Sequence, residues 1–144
     1  MRKEERPLAL TLGDPAGIGP EVAIKALADP QIRRASRLVI YGLNELLTYA
    51  ADRQEVDPFW CRVQHDSDRT TRRIHEDVVV LDYDEFDGLV RAPHQASKPG
   101  GLASKAFVED AITDALQPPG HPRRLDAIVT GPICKESWTM AGFN

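Results

Sequence analysis

The stretch that decides the fold reads LALTL at residues 8–12 and GDPAGIGPE at residues 13–21. The first five residues are mostly apolar and predict a buried strand. The glycines that follow allow positive φ and a close approach of the backbone to another group. Pro20 suits the first turn of a helix, and Glu21 complements the positive N-terminal end of that helix. The stretch therefore predicts a strand that leads through a rigid loop into a helix.

Two interpretations of the loop at residues 13–21 follow from its spacing. Strand-to-helix loops of a parallel α/β sheet lie at its carboxyl edge, where ligands usually bind. The other interpretation is a tight structural turn. A P-loop is excluded because Ile18 stands where the second glycine of that motif belongs, and the dinucleotide fingerprint is excluded because Val22 stands at its third glycine.

The rest of the chain alternates short apolar runs with helical patterns. Strands are predicted at residues 37–41, 59–63, 78–81 and 125–130, and helices at residues 21–27, 45–51 and 103–116. This alternation predicts one α/β domain, with a mainly parallel sheet flanked by helices.

Several connections between these elements carry turn signals. Asp29-Pro30 is interpreted as the end of the first helix, and Asn44 as the cap of the second. The acidic run at residues 82–87 predicts a solvated turn, since it lacks the glycine and the terminal Glu of a calcium loop. Residues 98–106, which begin Lys98-Pro99-Gly100-Gly101, predict a flexible loop that runs into the long helix.

The composition is that of an ordinary globular domain. The 144 residues are 42% hydrophobic and 28% charged, enough for one core. A net charge of −4 with scattered basic residues argues against a nucleic-acid surface. The apolar run before Gly13 is too short for a signal peptide or a membrane span, so a cytoplasmic protein is expected. Cys61 and Cys134 have no C-x-x-C partner and are expected to be reduced thiols.

Three polar residues stand near predicted loops and could converge in space: Asp14, Lys98 and Lys135. A lysine can pair with a phosphate or a carboxylate, and the amides at a helix start add a partial positive field. An anionic substrate would fit such a site. The alternative is that both lysines are ordinary exposed charges.

The other reactive side chains give weaker signals. No two histidines have the i, i+4 spacing of a helical metal pair, and the four are His65, His75, His94 and His121. His94 precedes the loop at Lys98, where a lone histidine is more often a surface residue than a base. Cys134 lies beside Lys135, but the sequence identifies no paired base for a nucleophile.

Three segments taken together resemble the 4-hydroxythreonine-4-phosphate dehydrogenase family. They are TLGDPAGIGPE at residues 11–21, the weaker match KPGG at residues 98–101, and DAIVTGPICKE at residues 126–136. The resemblance spans nearly the whole chain, in the family's order. It implies a fold like that of isocitrate and isopropylmalate dehydrogenases, with the active site in the cleft of a two-lobed homodimer. Residues 1–144 would be an N-terminal α/β portion of that longer enzyme, incomplete as a fold and with no internal domain boundary.

The resemblance also implies the chemistry. Family members are NAD-dependent and bind a divalent metal, and they act in pyridoxal phosphate biosynthesis or on phosphorylated threonate and erythronate. NAD would take hydride from the alcohol carbon of 4-phosphohydroxy-L-threonine, and the metal would stabilise the oxygen as carbon dioxide leaves. The substrate-cleft residues carried over by the motifs are Gly13, Asp14, Gly17, Gly19, Lys98 and Lys135.

Some family features have no match in this sequence. The Gly-His-Thr motif and the metal-binding histidines are expected beyond Asn144, so no catalytic residue and no metal ligand is carried onto this chain. Cys134 stands where some members have His or Asn, which leaves its role open. The chain alone is therefore expected to be inactive, with an unpaired sheet edge and exposed apolar side chains that favour self-association. The alternatives are a threonate or erythronate phosphate dehydrogenase, a non-catalytic module that binds a phosphorylated metabolite, and an assembly fragment without a ligand.

Overall fold

A computed structural model describes residues 7–71 and 76–144 of the chain. Residues 1–6 and the segment that contains His75 lie outside the described residues. The strands are β1 (Pro7–Thr11), β2 (Arg37–Gly42), β3 (Cys61–Gln64), β4 (Val78–Asp82) and β5 (Ala127–Thr130). The α-helices are α1 (Gly19–Leu27), α2 (Pro30–Ala35), α3 (Asn44–Arg53), α4 (Lys98–Ala115) and α5 (Lys135–Met140), and short 3-10 turns span Asp68–Thr71 and Asp84–Leu89.

The strands form one sheet in the order β3-β4-β2-β1-β5, and every pairing between described strands is parallel. In this sheet β1 lies between β2 and β5, with Thr11 aligned with Tyr41 on one side and Thr130 on the other. The strands β2, β4 and β3 extend the sheet on one side of β1, and the last strand, β5, pairs with the other side of β1. The loops after β1 and β5 therefore lie side by side at the carboxyl edge, where open α/β sheets bind ligands.

Hydrophobic clusters cover both faces of the sheet. Successive residues of β2 point to opposite faces, so that Tyr41 packs in the cluster with Phe107 of α4, and Ile40 packs in the cluster with Ile24 of α1 and Leu47 of α3. All five residues of β4 are buried, as expected for a strand covered on both sides. The α/β class with a parallel sheet flanked by helices is confirmed.

Buried tyrosines tie the sheet region to α4. The Tyr41 hydroxyl donates to Asp114 Oδ2 at 2.5 Å, and Arg123 also donates to that carboxylate. The Tyr83 hydroxyl donates to Asp110 Oδ2 at 2.7 Å. Burial, together with the hydrogen bond to Asp114, raises the pKa of Tyr41, so this phenol stays protonated and acts as a donor. These bonds connect α4 to the sheet through polar contacts as well as apolar packing.

The first helix ends just before Asp29-Pro30, as predicted, but the same two residues also start another helix. The Asp29 side chain accepts a hydrogen bond from Gln31 N at 2.8 Å and caps α2, with Pro30 in the first turn. An N-cap aspartate followed by proline is also a helix-start signal. A six-residue helix therefore lies between α1 and β2, where no helix was predicted.

The roles predicted for Asn44 and Asp82 are also wrong. Asn44 lies within α3, and its backbone N–H donates to Asp82 Oδ1 at 2.9 Å. Arg62 Nε donates to the other oxygen of Asp82 at 2.7 Å. Asp82 is buried, with 5% of its surface exposed, so this carboxylate is a structural acceptor at the start of α3 and does not belong to a solvated turn.

The segment from Lys98 to Gly101 is the first turn of α4, and the prediction of a flexible loop there is wrong. Ser97 Oγ accepts a hydrogen bond from Gly100 N at 3.0 Å and caps the helix. A Cβ on Gly101 would lie 2.0 Å from the carbonyl oxygen of Ser137 in α5. The glycine at residue 101 is therefore needed for the close contact between α4 and α5.

The sheet ends at β5 within the described part of the chain. Val129 of this strand exposes 53% of its surface, and Ile133 in the following loop exposes 39%. These are the unpaired edge and the exposed apolar side chains that the sequence predicts; the self-association they would favour stays a prediction. None of the helices in the described residues is both long and apolar enough to cross a membrane.

Gly101→Ala should lower the free energy of unfolding by about 1–3 kcal/mol, because the added methyl group overlaps backbone of α5 that has little room to move. Gly88→Ala is the matched control, since a Cβ at Gly88 has no neighbour within 4 Å. This control should change stability by no more than about 0.5 kcal/mol. Urea denaturation followed by circular dichroism measures both values. Equal losses for the two variants would contradict the proposed packing of α4 on α5.

Candidate functional site

The loops after β1 and β5 are joined by direct backbone contacts. Gly13 has φ 76°, and a Cβ there would lie 2.0 Å from the Pro132 carbonyl oxygen. The N–H of Asp14 donates to that same oxygen at 3.0 Å, and Gly131 N donates to Thr11 O at 2.6 Å. Only glycine combines the left-handed conformation with this close approach. The two loops therefore form one rigid unit at the carboxyl edge of the sheet.

The other glycines of the first loop also serve internal packing. A Cβ on Gly19 would lie 1.7 Å from the Leu12 carbonyl oxygen, so this glycine lets α1 start directly against the end of β1. Gly17 N donates to the Asp14 carbonyl oxygen at 2.9 Å and closes a turn. The tight-turn interpretation of this loop is therefore confirmed, and the groups that its glycines approach most closely are backbone atoms of the protein itself.

A cleft of about 310 Å³ opens beside this turn, between the two loops and the segment that precedes α4. This volume is at the small end of the range for metabolite pockets. The polar side chains of the cleft come from Asp14, His94 and Gln95. Its full lining is Asp14, Ala16, Gly17, Ile18, His94, Gln95, Ala96, Pro132, Ile133 and Cys134. A tight turn and a ligand-binding cleft can thus coexist in the same loop.

Asp14 is the buried charged residue of the cleft, with 3% of its surface exposed. Its Oδ1 accepts a hydrogen bond from Ala16 N at 2.8 Å, whereas its buried Oδ2 has no partner among the described residues. A Cβ on Gly100 would lie 3.1 Å from both carboxylate oxygens. The carboxylate therefore lies against the first turn of α4, whose partial positive charge stabilises it.

His94 is attached to the first loop. Its Nδ1 lies 3.0 Å from the Ala16 carbonyl oxygen. Because a carbonyl oxygen only accepts hydrogen bonds, this contact assigns the hydrogen to Nδ1, and in the neutral ring Nε2 then keeps a lone pair. The sequence suggested an ordinary surface histidine, and the ring is indeed exposed, but it also lines the cleft.

The structure brings together the three segments that carry Asp14, Lys98 and Lys135, but it places neither lysine in the wall of the cleft. Lys98 is the first residue of α4, and Lys135 is the first residue of α5. Both are exposed, and neither is among the described residues that line the cleft. Of the described motif glycines, only Gly17 lines the cleft. Cys134, which is half-buried, also lines it.

No cluster in the described part of the chain brings together three or more His, Cys, Asp or Glu side chains that could hold a metal ion. His65 Nε2 lies 2.8 Å from Glu85 Oε1. The His65 ring stacks on the Tyr83 ring, with 3.9 Å between the ring centroids. His121 Nδ1 accepts a hydrogen bond from Arg123 N at 3.1 Å. Both rings make ordinary structural contacts.

Sequence reasoning missed the part of the cleft wall that precedes α4. Gln95 and Ala96 line the cleft because Ser97 starts the helix directly after them. A serine followed by a proline within the first turn is a helix-start signal and would have placed this boundary. No signal in the local sequence points to Gln95 itself.

Comparison with known proteins finds relatives along nearly the whole chain. A protein from Synechococcus sp. (strain JA-3-3Ab) named 4-hydroxythreonine-4-phosphate dehydrogenase is 32% identical over 139 residues, which cover 94% of this chain and 35% of that protein. A protein from Symbiobacterium thermophilum, named with a provisional assignment as D-threonate 4-phosphate dehydrogenase, is 32% identical over 96% of this chain and 39% of its own length. No family model matches the chain.

Solved structures share the fold. A 4-hydroxythreonine-4-phosphate dehydrogenase from Klebsiella pneumoniae superposes with a TM-score of 0.74 at 25% identity, over 99% of this chain and 41% of that one. The chain thus spans 35–39% of the length of the two curated relatives described above. Similarity in sequence and in fold therefore leads to the same group of enzymes.

Gly13→Ala should destabilise the protein more than Gly120→Ala. Both glycines have positive φ, 76° and 87°, so each alanine carries a conformational cost of about 1–2 kcal/mol. A Cβ has no neighbour within 4 Å at Gly120, whereas at Gly13 it meets the Pro132 carbonyl oxygen. This overlap should add about 1–3 kcal/mol to the loss for Gly13→Ala in a urea denaturation experiment. If the two variants lose the same stability, the junction of the two loops does not constrain the fold.

Proposed function

We propose that the protein is an NAD-dependent dehydrogenase of a phosphorylated hydroxy acid. The chain belongs to the 4-hydroxythreonine-4-phosphate dehydrogenase family, and it spans a little over one third of the length of the members described above. The proposed substrate is 4-phosphohydroxy-L-threonine, whose oxidation with decarboxylation would serve pyridoxal phosphate biosynthesis. Relatives of this chain are named for that compound, and one is provisionally named for D-threonate 4-phosphate, which is the alternative substrate. The same proposal includes a cytoplasmic homodimer in which this chain forms an N-terminal α/β portion.

The observation that carries the proposal is the position of the cleft. It lies at the carboxyl edge of a parallel sheet, beside β1, where the chain order reverses. Ligands of open α/β sheets bind at this point. The loop that forms one wall is also the segment, residues 13–21, that carries the resemblance to the dehydrogenase family.

The described residues do not themselves fit either implied cofactor. They contain no group of three or more side chains placed to bind a metal. The space beside Gly13 and Gly19 is filled by backbone carbonyls, so these glycines do not fit a pyrophosphate cradle. NAD and a divalent metal therefore belong to the proposal for the whole protein, and no step through them is assigned to this part of the chain.

The residues of this chain would act by binding and positioning. The junction of the two loops fixes the backbone of Asp14, and the side chains of Ile18 and Ile133 supply apolar surface to the cleft. A preorganised site of this kind contributes to catalysis by orientation. The Nδ1–H of His94 would donate to the Ala16 carbonyl oxygen, which leaves Nε2 of the neutral ring as a hydrogen-bond acceptor.

The full-length protein should form NADH from 4-phosphohydroxy-L-threonine, whereas residues 1–144 alone should form none. The physical reason is that the described part of the chain holds no metal-binding group. Absorbance of NADH, with and without a chelator, measures both activities. Metal-dependent NADH formation by the 144-residue chain would show that it holds a complete active site.

A second candidate function is a non-catalytic module that binds a phosphorylated metabolite. The observation that favours it is the cleft itself, because binding a small metabolite without turnover requires only a pocket of about this size. Titration calorimetry of the chain with 4-phosphohydroxy-L-threonine separates the two functions. Binding that is independent of NAD and of metal, without turnover by the full-length protein, favours the module. NADH formation by the full-length protein excludes it.

A further inference from the structure

One wall of the cleft is the segment that leads into α4, residues 93–97, which we call the pre-α4 segment. Its first three residues are exposed, so packing does little to hold them. Within the described part of the chain, two hydrogen bonds tie this segment to other elements. His94 Nδ1 lies 3.0 Å from Ala16 O, and Ser97 N donates to Ser137 Oγ at 3.0 Å. The position of this wall therefore depends on these two bonds.

Ser137 in α5 contacts the start of α4 through two of its atoms. Its hydroxyl oxygen accepts the hydrogen bond from Ser97, the N-cap residue of α4. Its carbonyl oxygen would lie 2.0 Å from a Cβ at Gly101, so the two helices pack closely there. Ser137 exposes none of its surface. Because close-packed interiors leave a side chain little room to move, the acceptor of Ser97 N has a fixed position.

A second wall of the cleft runs directly into α5. Residues 132–134 line the cleft, and α5 begins at the next residue. Trp138 N donates to the Cys134 carbonyl oxygen at 3.1 Å, so the backbone of Cys134 is bonded to the first turn of α5. Ser137 belongs to that same turn. A displacement of Ser137 would therefore move this wall relative to the pre-α4 segment.

Another buried serine joins the same two helices away from the cleft. Ser104 Oγ accepts a hydrogen bond from Trp138 Nε1 at 2.8 Å. Ser104 is as deeply buried as Ser137, and neither Ser104 nor Trp138 is among the described residues that line the cleft. Ser104 lies about 10 Å further along α4 than Ser97, at the usual rise of a helix. The two serines thus make comparable bonds between α4 and α5, but the bond of Ser137 is the one that reaches the pre-α4 segment.

We infer that Ser137 is a positioning residue, which sets the spacing of the two cleft walls and thereby the affinity of the cleft for its substrate. This role rests on the proposed function, because it requires that the substrate bind in this cleft. Ser137 does not line the cleft itself and acts through the backbone of Ser97 and of Cys134. Walls that are already in place spare the ligand the cost of ordering them.

Hydrogen exchange of the full-length protein tests whether Ser137 couples the two walls. Ser137→Ala removes the acceptor of Ser97 N, so amides of the pre-α4 segment and of residues 132–134 should exchange about threefold faster or more. Ser104→Ala is the matched control, since it removes a bond between the same helices and leaves that acceptor in place. It should keep the exchange of the pre-α4 segment within about twofold of wild type. Mass spectrometry of the corresponding peptides measures both variants.

The Michaelis constant tests whether this coupling serves substrate binding. For Ser137→Ala, the KM for 4-phosphohydroxy-L-threonine should rise about 3- to 10-fold with kcat within about twofold, because contacts made in both ground and transition states are weakened. Ser104→Ala should keep the wild-type KM. A loss of stability alone lowers the fraction of folded enzyme, which lowers the apparent kcat and leaves KM unchanged. KM therefore separates positioning from stabilisation.

Ser137→Cys replaces Ser137→Ala if the alanine variant does not fold, which thermal melting reveals. Its thiol fills roughly the same space as the hydroxyl group and is a weaker acceptor. In the presence of a reductant, this variant should raise KM about two- to threefold and speed exchange in the pre-α4 segment.

The outcomes separate this role of Ser137 from the proposed function. A higher KM together with faster exchange in both walls, in the Ser137 variant and not in Ser104→Ala, supports the role. An unchanged KM, or the same rise in KM for both serine variants, overturns it while the proposed function stands. If the wild-type protein oxidises neither 4-phosphohydroxy-L-threonine nor D-threonate 4-phosphate with NAD, the proposed function fails. The exchange experiment then still decides whether Ser137 couples the walls.

Discussion

The cleft depends on one backbone contact, in which the N–H of Asp14 donates to the carbonyl oxygen of Pro132 at 3.0 Å. This bond joins the loop after β1 to the loop after β5, two segments that are far apart in sequence and adjacent in the sheet. Gly13 makes the contact possible, because its left-handed backbone and missing Cβ leave room for that carbonyl. The parallel pairing of β1 with β5 brings the loops together, and the contact then fixes the carboxylate of Asp14 at the edge of the cleft.

The elements that the sequence predicts correctly are those whose signal is local. The apolar run of β4 and the helical spacing along α4 are visible in short windows of sequence, and both elements are present in the structure. Local helix-start signals at Asp29-Pro30 and at Ser97 were overlooked, and other errors arise where the deciding partner is distant. A glycine is needed at residue 101 because the carbonyl of Ser137 approaches it closely. Asp82 is a buried acceptor because it binds Arg62 and the start of α3. A local pattern of glycines or acidic residues cannot reveal such partners.

The candidate site was predictable in position but only partly in its residues. Their positions near predicted loops, and then the family resemblance, led to Asp14, Lys98 and Lys135. Asp14 lines the cleft, whereas both lysines are exposed outside its wall. A shared motif identifies equivalent positions along the chain, whereas the direction of a side chain depends on packing. The roles of both lysines remain predictions. His94 shows the converse, because its contact with Ala16 O appears only once the loops are folded together.

The central claim is that the substrate binds between the loops after β1 and β5, and a crystal structure of the full-length protein with 4-phosphohydroxy-L-threonine tests it most directly. The account predicts that the ligand lies in the cleft, in contact with residues of both loops. A ligand bound elsewhere, with the cleft filled by side chains from other parts of the protein, would contradict the account.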